Sequence, residues 1–198
     1  MTKVAIFGGS FNPPHLAHVL AVTVVLATED VERVVVVPTF KHPFAKSLAP
    51  YDDRVEMCAL AMGWLPNVEV SRVEEELGGE SRTLRTLEHL RAAHPGWSMR
   101  LLMGADLLLE APRWFKFDAI KAIAPPIVVG RAGIESKEGR GAAVLPAISS
   151  TEVRAKIAAA AWDDLAPIVP RAVLSLIRAR GLYASPEPVD TATKVGST

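Results

Sequence analysis

The 198-residue chain carries a single cysteine, Cys58, which excludes an internal disulfide and a cysteine-rich metal site. It carries no excess of charge: Lys plus Arg and Asp plus Glu number 22 each. Such a balance leaves no electrostatic footprint for nucleic acid or an anionic membrane surface, so any anionic ligand must be met by a local site. No apolar run reaches membrane-spanning length, and the N-terminus opens directly on a strand-like run, so the expected setting is the cytoplasm. Two common phosphate signatures are also missing. No Gly-Lys-Ser/Thr follows the glycine turn near the N-terminus, and Gly-x-Gly-x-x-Gly does not occur there. With no internal repeat and no linker, one domain over residues 1–183 is expected, followed by a polar, proline-containing tail over 184–198 expected to be mobile. What is abundant is apolar: 49 % of residues are hydrophobic and the mean hydropathy is +0.22, enough for a sizeable core.

That apolar content alternates between short and long runs. Strands are expected at residues 4–7, 33–38, 68–70, 98–103, 126–129 and 142–145, and helices at 51–62, 83–93, 150–161 and 171–180. A further helix should follow the first strand, starting at Pro14, because proline suits a first helical turn and pushes Pro13 out of helical geometry. Residues 39–50 and 130–141 read as loops, and the acidic stretch 72–81, ending in Gly-Gly, as a solvated turn. Strand and helix in alternation predict an α/β fold, a Rossmann-like doubly wound parallel sheet with a small helical C-terminal portion. Ligands of such sheets bind beyond the carboxyl ends of the strands. That rule gathers the turn after strand one, residues 38–46, Gly104-Ala105-Asp106 and Gly130-Arg131 along one edge.

The turn after strand one reads Gly8-Gly9-Ser10-Phe11-Asn12-Pro13-Pro14-His15-Leu16-Ala17-His18. Glycines let a ligand approach the backbone, helix-start amides attract anions, and His15 and His18 fall on one helical face. These features together describe a phosphate site. Imidazolium is disfavoured at a helix start, so both rings should be neutral without ligand and gain protons beside a triphosphate. A second signal is Ile148-Ser149-Ser150-Thr151-Glu152-Val153-Arg154. Ser149 and Glu152 suffice as a capping box. Three successive hydroxyls and an arginine one turn on go beyond a cap and form a second anion site.

The first stretch resembles the nucleotidylyltransferase signature Gly-x-Phe-(Asn/Asp)-Pro-x-His-x-Gly-His, with Ala17 in place of the glycine, and the second resembles Ile-Ser-Ser-Thr-x-(Ile/Val)-Arg of the same superfamily. Gly104-Ala105-Asp106 followed by Trp114 is similar to the bacterial nicotinate-mononucleotide adenylyltransferases, as, more loosely, is Lys41-His42-Pro43-Phe44-Ala45-Lys46. Their Thr-x-Asp-Thr-Leu element appears as Thr83-Leu84-Arg85-Thr86-Leu87, with Arg82 in a place often aromatic.

The resemblance implies transfer of AMP from ATP to nicotinate mononucleotide, giving deamido-NAD and pyrophosphate. His15 and His18 would be catalytic. Gly8, Gly9, Ser10, Phe11, His42, Lys46, Ser149, Ser150, Thr151 and Arg154 would bind ATP, and Asn12, Thr83, Gly104, Asp106 and Trp114 the acceptor. Mg²⁺ would be held mainly by the triphosphate, no protein metal site being expected. Nicotinamide mononucleotide or phosphopantetheine as acceptor, a non-catalytic nucleotide-binding regulator, and a homo-oligomer all stay open.

Overall fold

Two strands are apolar throughout because they are covered on both faces. β1 (Thr2–Gly9) buries Val4, Ala5, Ile6 and Phe7, and β2 (Arg33–Pro38) buries Val34 to Val37. The computed structural model describes residues 1–42, 47–105, 107, 114–132 and 144–184. After β1 come α1 (Leu16–Thr28), β2, α2 (Tyr51–Met62), β3 (Val68–Val70), α3 (Val73–Leu77), α4 (Thr83–Ala93) and β4 (Trp97–Gly104). Then follow α5 (Phe117–Ile123), β5 (Pro126–Arg131), β6 (Val144–Leu145), α6 (Ser150–Ala158), α7 (Trp162–Leu165) and α8 (Arg171–Arg180). No helix among the described residues is long and apolar enough to cross a membrane.

The six strands stand in the order β3-β2-β1-β4-β5-β6, every neighbouring pair parallel. This is the doubly wound order, and the winding reverses between β1 and β4. Side chains along each strand serve the two faces in turn. Ala5, Phe7, Val34, Val36 and Leu102 enter one core with α1, α2, α6, α7 and α8, while Val4, Ile6, Val35, Val37 and Leu101 enter a second with α3, α4 and α5.

Five elements lie where the sequence places them: β2, α2, β3, α4 and α8. The differences have local causes. α1 begins at Leu16 rather than Pro14, because His15 is extended (φ −141°, ψ 175°) and acts as the N-cap. The expected solvated turn at 72–81 contains α3, whose Val73 is 3 % exposed in the second core. Its acidic exterior hides this one anchor. The helix expected over 150–161 stops at Ala158, and Ala160 in left-handed geometry (φ 54°) separates it from α7. α5 has no counterpart in the sequence reading. The buried stripe of α2 runs through Arg54, Met57, Cys58, Ala61 and Met62. Most of the loop at 130–141 and nearly all of the tail fall outside the described residues.

Candidate active site

The point where the winding reverses puts the carboxyl ends of β1 and β4, Gly8-Gly9 and Gly104, on one edge. A Cβ on Gly8 would meet nothing within 4 Å, so the space before it is open, whereas one on Gly9 would stand 3.1 Å from the Phe11 ring. Phe11 itself takes a left-handed backbone (φ 46°), costly for a residue with a Cβ. Its ring is buried beneath the turn, edge-on to Phe7 at 5.4 Å and to His18 at 5.1 Å. Ser10 is half-buried. The Asn12–Pro13 peptide is cis.

The two histidines form the corner where the turn enters α1. His15 is 5 % exposed, and its ring centroid lies 3.8 Å from that of His18. The His15 backbone N–H donates to His18 Nδ1 at 3.1 Å. Nδ1 therefore accepts and the neutral ring carries its proton on Nε2. The same bond satisfies one of the orphan amides at the helix start. Ala17 is buried in the first core, so its methyl packs against protein.

The second motif is fastened onto the first. Ser149 caps α6, its Oγ accepting from the Glu152 amide at 3.1 Å. Ser150 Oγ donates to the Pro13 carbonyl at 2.9 Å, and Arg154 Nη1 to the Asn12 carbonyl at 2.9 Å. Thr151 is exposed, its Oγ1 3.5 Å from Arg154 Nη2. Residues almost 140 positions apart thus share one frame, with α6 opening beside the cis turn.

Asn12, expected to meet the acceptor, is 4 % exposed and bonded within the protein. Its Oδ1 accepts from the Ala49 amide at 2.9 Å and from the Tyr183 hydroxyl at 2.8 Å. Tyr183, just past α8 in left-handed geometry (φ 61°), therefore braces the turn from the far end of the chain. Burial pushes its phenol well above the usual range.

Arg54 is a second support that sequence reasoning missed. At 1 % exposure, it donates from Nε to Ala49 O (2.9 Å) and from Nη1 to Ser10 O (3.0 Å) and Thr39 O (2.7 Å). Burial lowers its pKa from the usual guanidinium value. The signal was present in the sequence: a charged residue within an otherwise apolar helical stripe.

Of the loop residues expected over ATP, His42 is half-buried at the end of a described segment, and Lys46 lies outside the described residues. The root of that loop is tied down: the Phe40 N–H reaches Glu74 Oε2 and Ser81 Oγ, both at 3.0 Å. On the acceptor side, Thr83 is half-buried at the first position of α4, and half-buried Gly104 ends β4. Trp114 packs against the second core, edge-on to Phe117 at 6.1 Å, and Asp106 lies outside the described residues. The two departures from the family pattern have different surroundings. Arg85 donates to the Leu77 and Gly78 carbonyls, both at 2.6 Å, and so closes the C-terminus of α3. Arg82 pairs with Glu80 at 2.9 Å and lies 5.8 Å from the exposed Phe115 ring.

Residues 6–156 match the model of the cytidylyltransferase-like family. The chain belongs to that family. Within it, a relative from Anaeromyxobacter sp. (strain K), named "Probable nicotinate-nucleotide adenylyltransferase", is 47 % identical over 184 residues, covering 91 % of this chain and 96 % of the relative. A relative of the same name from Myxococcus xanthus is 38 % identical over 91 % of this chain and 94 % of its own length. Among solved structures, the nicotinic acid mononucleotide adenylyltransferase of Plasmodium falciparum, complexed with NaAD, superposes with a TM-score of 0.81. It is 18 % identical, over 94 % of this chain and 99 % of that one, which shows a shared fold. The cytidylyltransferase-like frame is the Rossmann-like sheet expected from the order of elements, and the superfamily resemblance of the two motifs holds.

Proposed function

We propose that the chain transfers the adenylyl group of ATP to nicotinate mononucleotide, giving deamido-NAD and pyrophosphate. The observation that carries this reading is the joining of the two motifs: Ser150 and Arg154 bond the Pro13 and Asn12 carbonyls, so two helix starts open on one side of one turn. Two sets of helix-start amides side by side suit a polyphosphate. The names of the curated relatives support the acceptor.

In the reaction the acceptor's phosphate oxygen attacks the α-phosphorus in line. A P–O bond forms there as the bond to the β-phosphate oxygen breaks, and pyrophosphate leaves. No side chain need act as nucleophile, so catalysis is positioning and charge stabilisation. His18 offers its Nε2–H to the α-phosphate as charge shifts toward the leaving group, with the His15 ring tilted close beside it. Gly8 gives the triphosphate close approach to the backbone. Ser149, Ser150 and Arg154 hold the frame, while Thr151 and the first-turn amides of α6 meet the outer phosphates. By the family resemblance, His42 and Lys46 would add positive charge for the same phosphates. Thr83, Gly104 and Trp114 line the acceptor side, where Trp114 offers a ring for the pyridine to stack on; by the family resemblance Asp106 would join them. Among the described residues no cluster of three His, Cys, Asp or Glu side chains stands ready for a metal. Mg²⁺ bound with the triphosphate would supply charge neutralisation there, with no side chain of this chain assigned to hold it.

Pyrophosphate release from ATP with a panel of acceptors tests the reading. Nicotinate mononucleotide should support turnover far better than nicotinamide mononucleotide or phosphopantetheine. Turnover with another acceptor alone moves the enzyme to that substrate. ATP binding without turnover on any acceptor makes the protein a nucleotide-binding regulator.

A further inference from the structure

Arg54 is the most deeply buried charge in the described structure, and the mechanism above does not use it. Among the described residues it pairs with no carboxylate; its three hydrogen bonds all end on backbone carbonyls, of Ser10, Thr39 and Ala49. These belong to three different segments: the glycine turn, the root of the loop that carries His42, and the lead-in to α2. The Tyr51 ring, 5.5 Å away, covers the guanidinium on one side. A buried cation is retained where its removal would leave several groups unsatisfied.

The geometry of a planar trans peptide carries the argument further. Its C=O and N–H point in opposite directions. Drawing the Ser10 carbonyl into the core therefore aims the Phe11 N–H the other way, out of the core. Drawing in the Thr39 carbonyl aims the Phe40 N–H, which is the group that reaches Glu74 Oε2 and Ser81 Oγ. The Ala49 carbonyl held by Arg54 belongs to the peptide with Pro50, which has no N–H, while the Ala49 N–H, in the preceding peptide, goes to Asn12 Oδ1. One side chain thus orients a peptide in each of the segments that border the triphosphate end.

We propose that Arg54 is a positioning residue for ATP. Its guanidinium joins the glycine turn and the root of the His42 loop into one rigid body, and it places a positive charge behind the turn that faces the phosphates. Lysine would keep the charge but lose the planar fork that reaches three carbonyls at once. This rests on the reading of the turn as the ATP site, not on the identity of the acceptor.

The test compares Arg54→Lys and Arg54→Met with Leu90→Ala, which hollows the second core in the last turn of α4, away from these loops. In Arg54→Lys the affinity for a non-hydrolysable ATP analogue should fall about 10-fold or more, the scale of displacing a positioned group. Affinity for nicotinate mononucleotide should stay within about two-fold. Arg54→Met should bind the analogue more weakly still. Leu90→Ala should lower Tm while leaving both affinities unchanged, which separates positioning from plain loss of stability. A folded Arg54→Lys protein that binds the analogue like the wild type overturns the proposal. If neither Arg54 variant folds, the Arg54 Nε–H resonance of the wild-type protein decides: it should shift and exchange more slowly on adding the analogue but not the acceptor, and indifference to the analogue overturns the proposal. Turnover on an unexpected acceptor with the Arg54 effects intact would sink only the acceptor assignment. Failure of the wild type to bind the analogue would sink both.

Discussion

Replacing His18 by asparagine separates the two jobs of one side chain. In the structure Nδ1 accepts the His15 amide at 3.1 Å and caps α1, which leaves the proton on Nε2. An asparagine Oδ1 stands about where Nδ1 does, so His18→Asn keeps the cap and loses the Nε2 donor. His18→Ala loses both. Removing an N-terminal capping contact costs about 0.5–2 kcal/mol, which for a chain of this size is roughly 2–4 °C in Tm per kcal/mol. The asparagine also gives up ring contact with Phe11, whose centroid is 5.1 Å away, but His18 is half-exposed, so this loss is the smaller one. Removing a preorganised donor from developing charge lowers kcat by about 10²–10³. His18→Asn should therefore unfold in urea close to the wild type yet release pyrophosphate about 10²–10³ times more slowly. His18→Ala should be equally slow and measurably less stable. Near-wild-type turnover in His18→Asn would refute the donor role. Equal destabilisation of the two variants would refute the cap. Protonation of His18 by bound triphosphate would replace the Nδ1 acceptor with a second donor facing the His15 amide. Against the expectation from the sequence that His18 gains a proton beside a triphosphate, its ¹⁵N shifts should therefore keep the Nε2–H tautomer when an ATP analogue binds.

Tyr183→Phe removes one donor from Asn12 Oδ1 but leaves that oxygen bonded to the Ala49 amide. It should cost about 0.5–1.5 kcal/mol, and Asn12→Ala, which strands both donors, distinctly more; equal losses in urea unfolding would contradict the bracing of the turn. Burial pushes the Cys58 thiol far above its ordinary value, so above about pH 8.5 the unfolded chain ionises this group while the folded chain keeps the proton. The contribution of this thiol should be level below that pH and fall by about 1.4 kcal/mol per pH unit above it. Cys58→Ala should flatten the slope between pH 8.5 and 9.5, approximately the window in which tyrosines do not yet titrate, and an unchanged slope there would contradict the assignment.

Much of this protein was legible in one dimension, because the information was local. Period-2 and long apolar runs gave β2, α2, β3, α4 and α8 their bounds, and alternation of strand and helix implied a doubly wound sheet. Both motifs proposed to face the phosphates could be read from residue type and spacing alone. What escaped was held by partners distant in sequence. The acidic turn at 72–81 conceals α3 because only Val73 is fully buried, with Leu77 packed partly buried on the same core, while Glu74 and Arg85 tie its ends to Phe40, Leu77 and Gly78. Asn12 reads as a ligand-facing residue of its motif, yet its side chain holds Ala49 and Tyr183.

The sequence by itself determined which residue types meet at the turn, that they follow a strand, and that a second set of hydroxyls opens a later helix, because caps, glycine turns and strand–helix alternation are short-range physics. Only the tertiary structure decided how these parts are held. The Ser150 and Arg154 bonds to the Pro13 and Asn12 carbonyls, Tyr183 on Asn12 and Arg54 beneath three loops exist because buried backbone carbonyls and side-chain oxygens require donors. The donors that reach them come from wherever the fold happens to bring a side chain near.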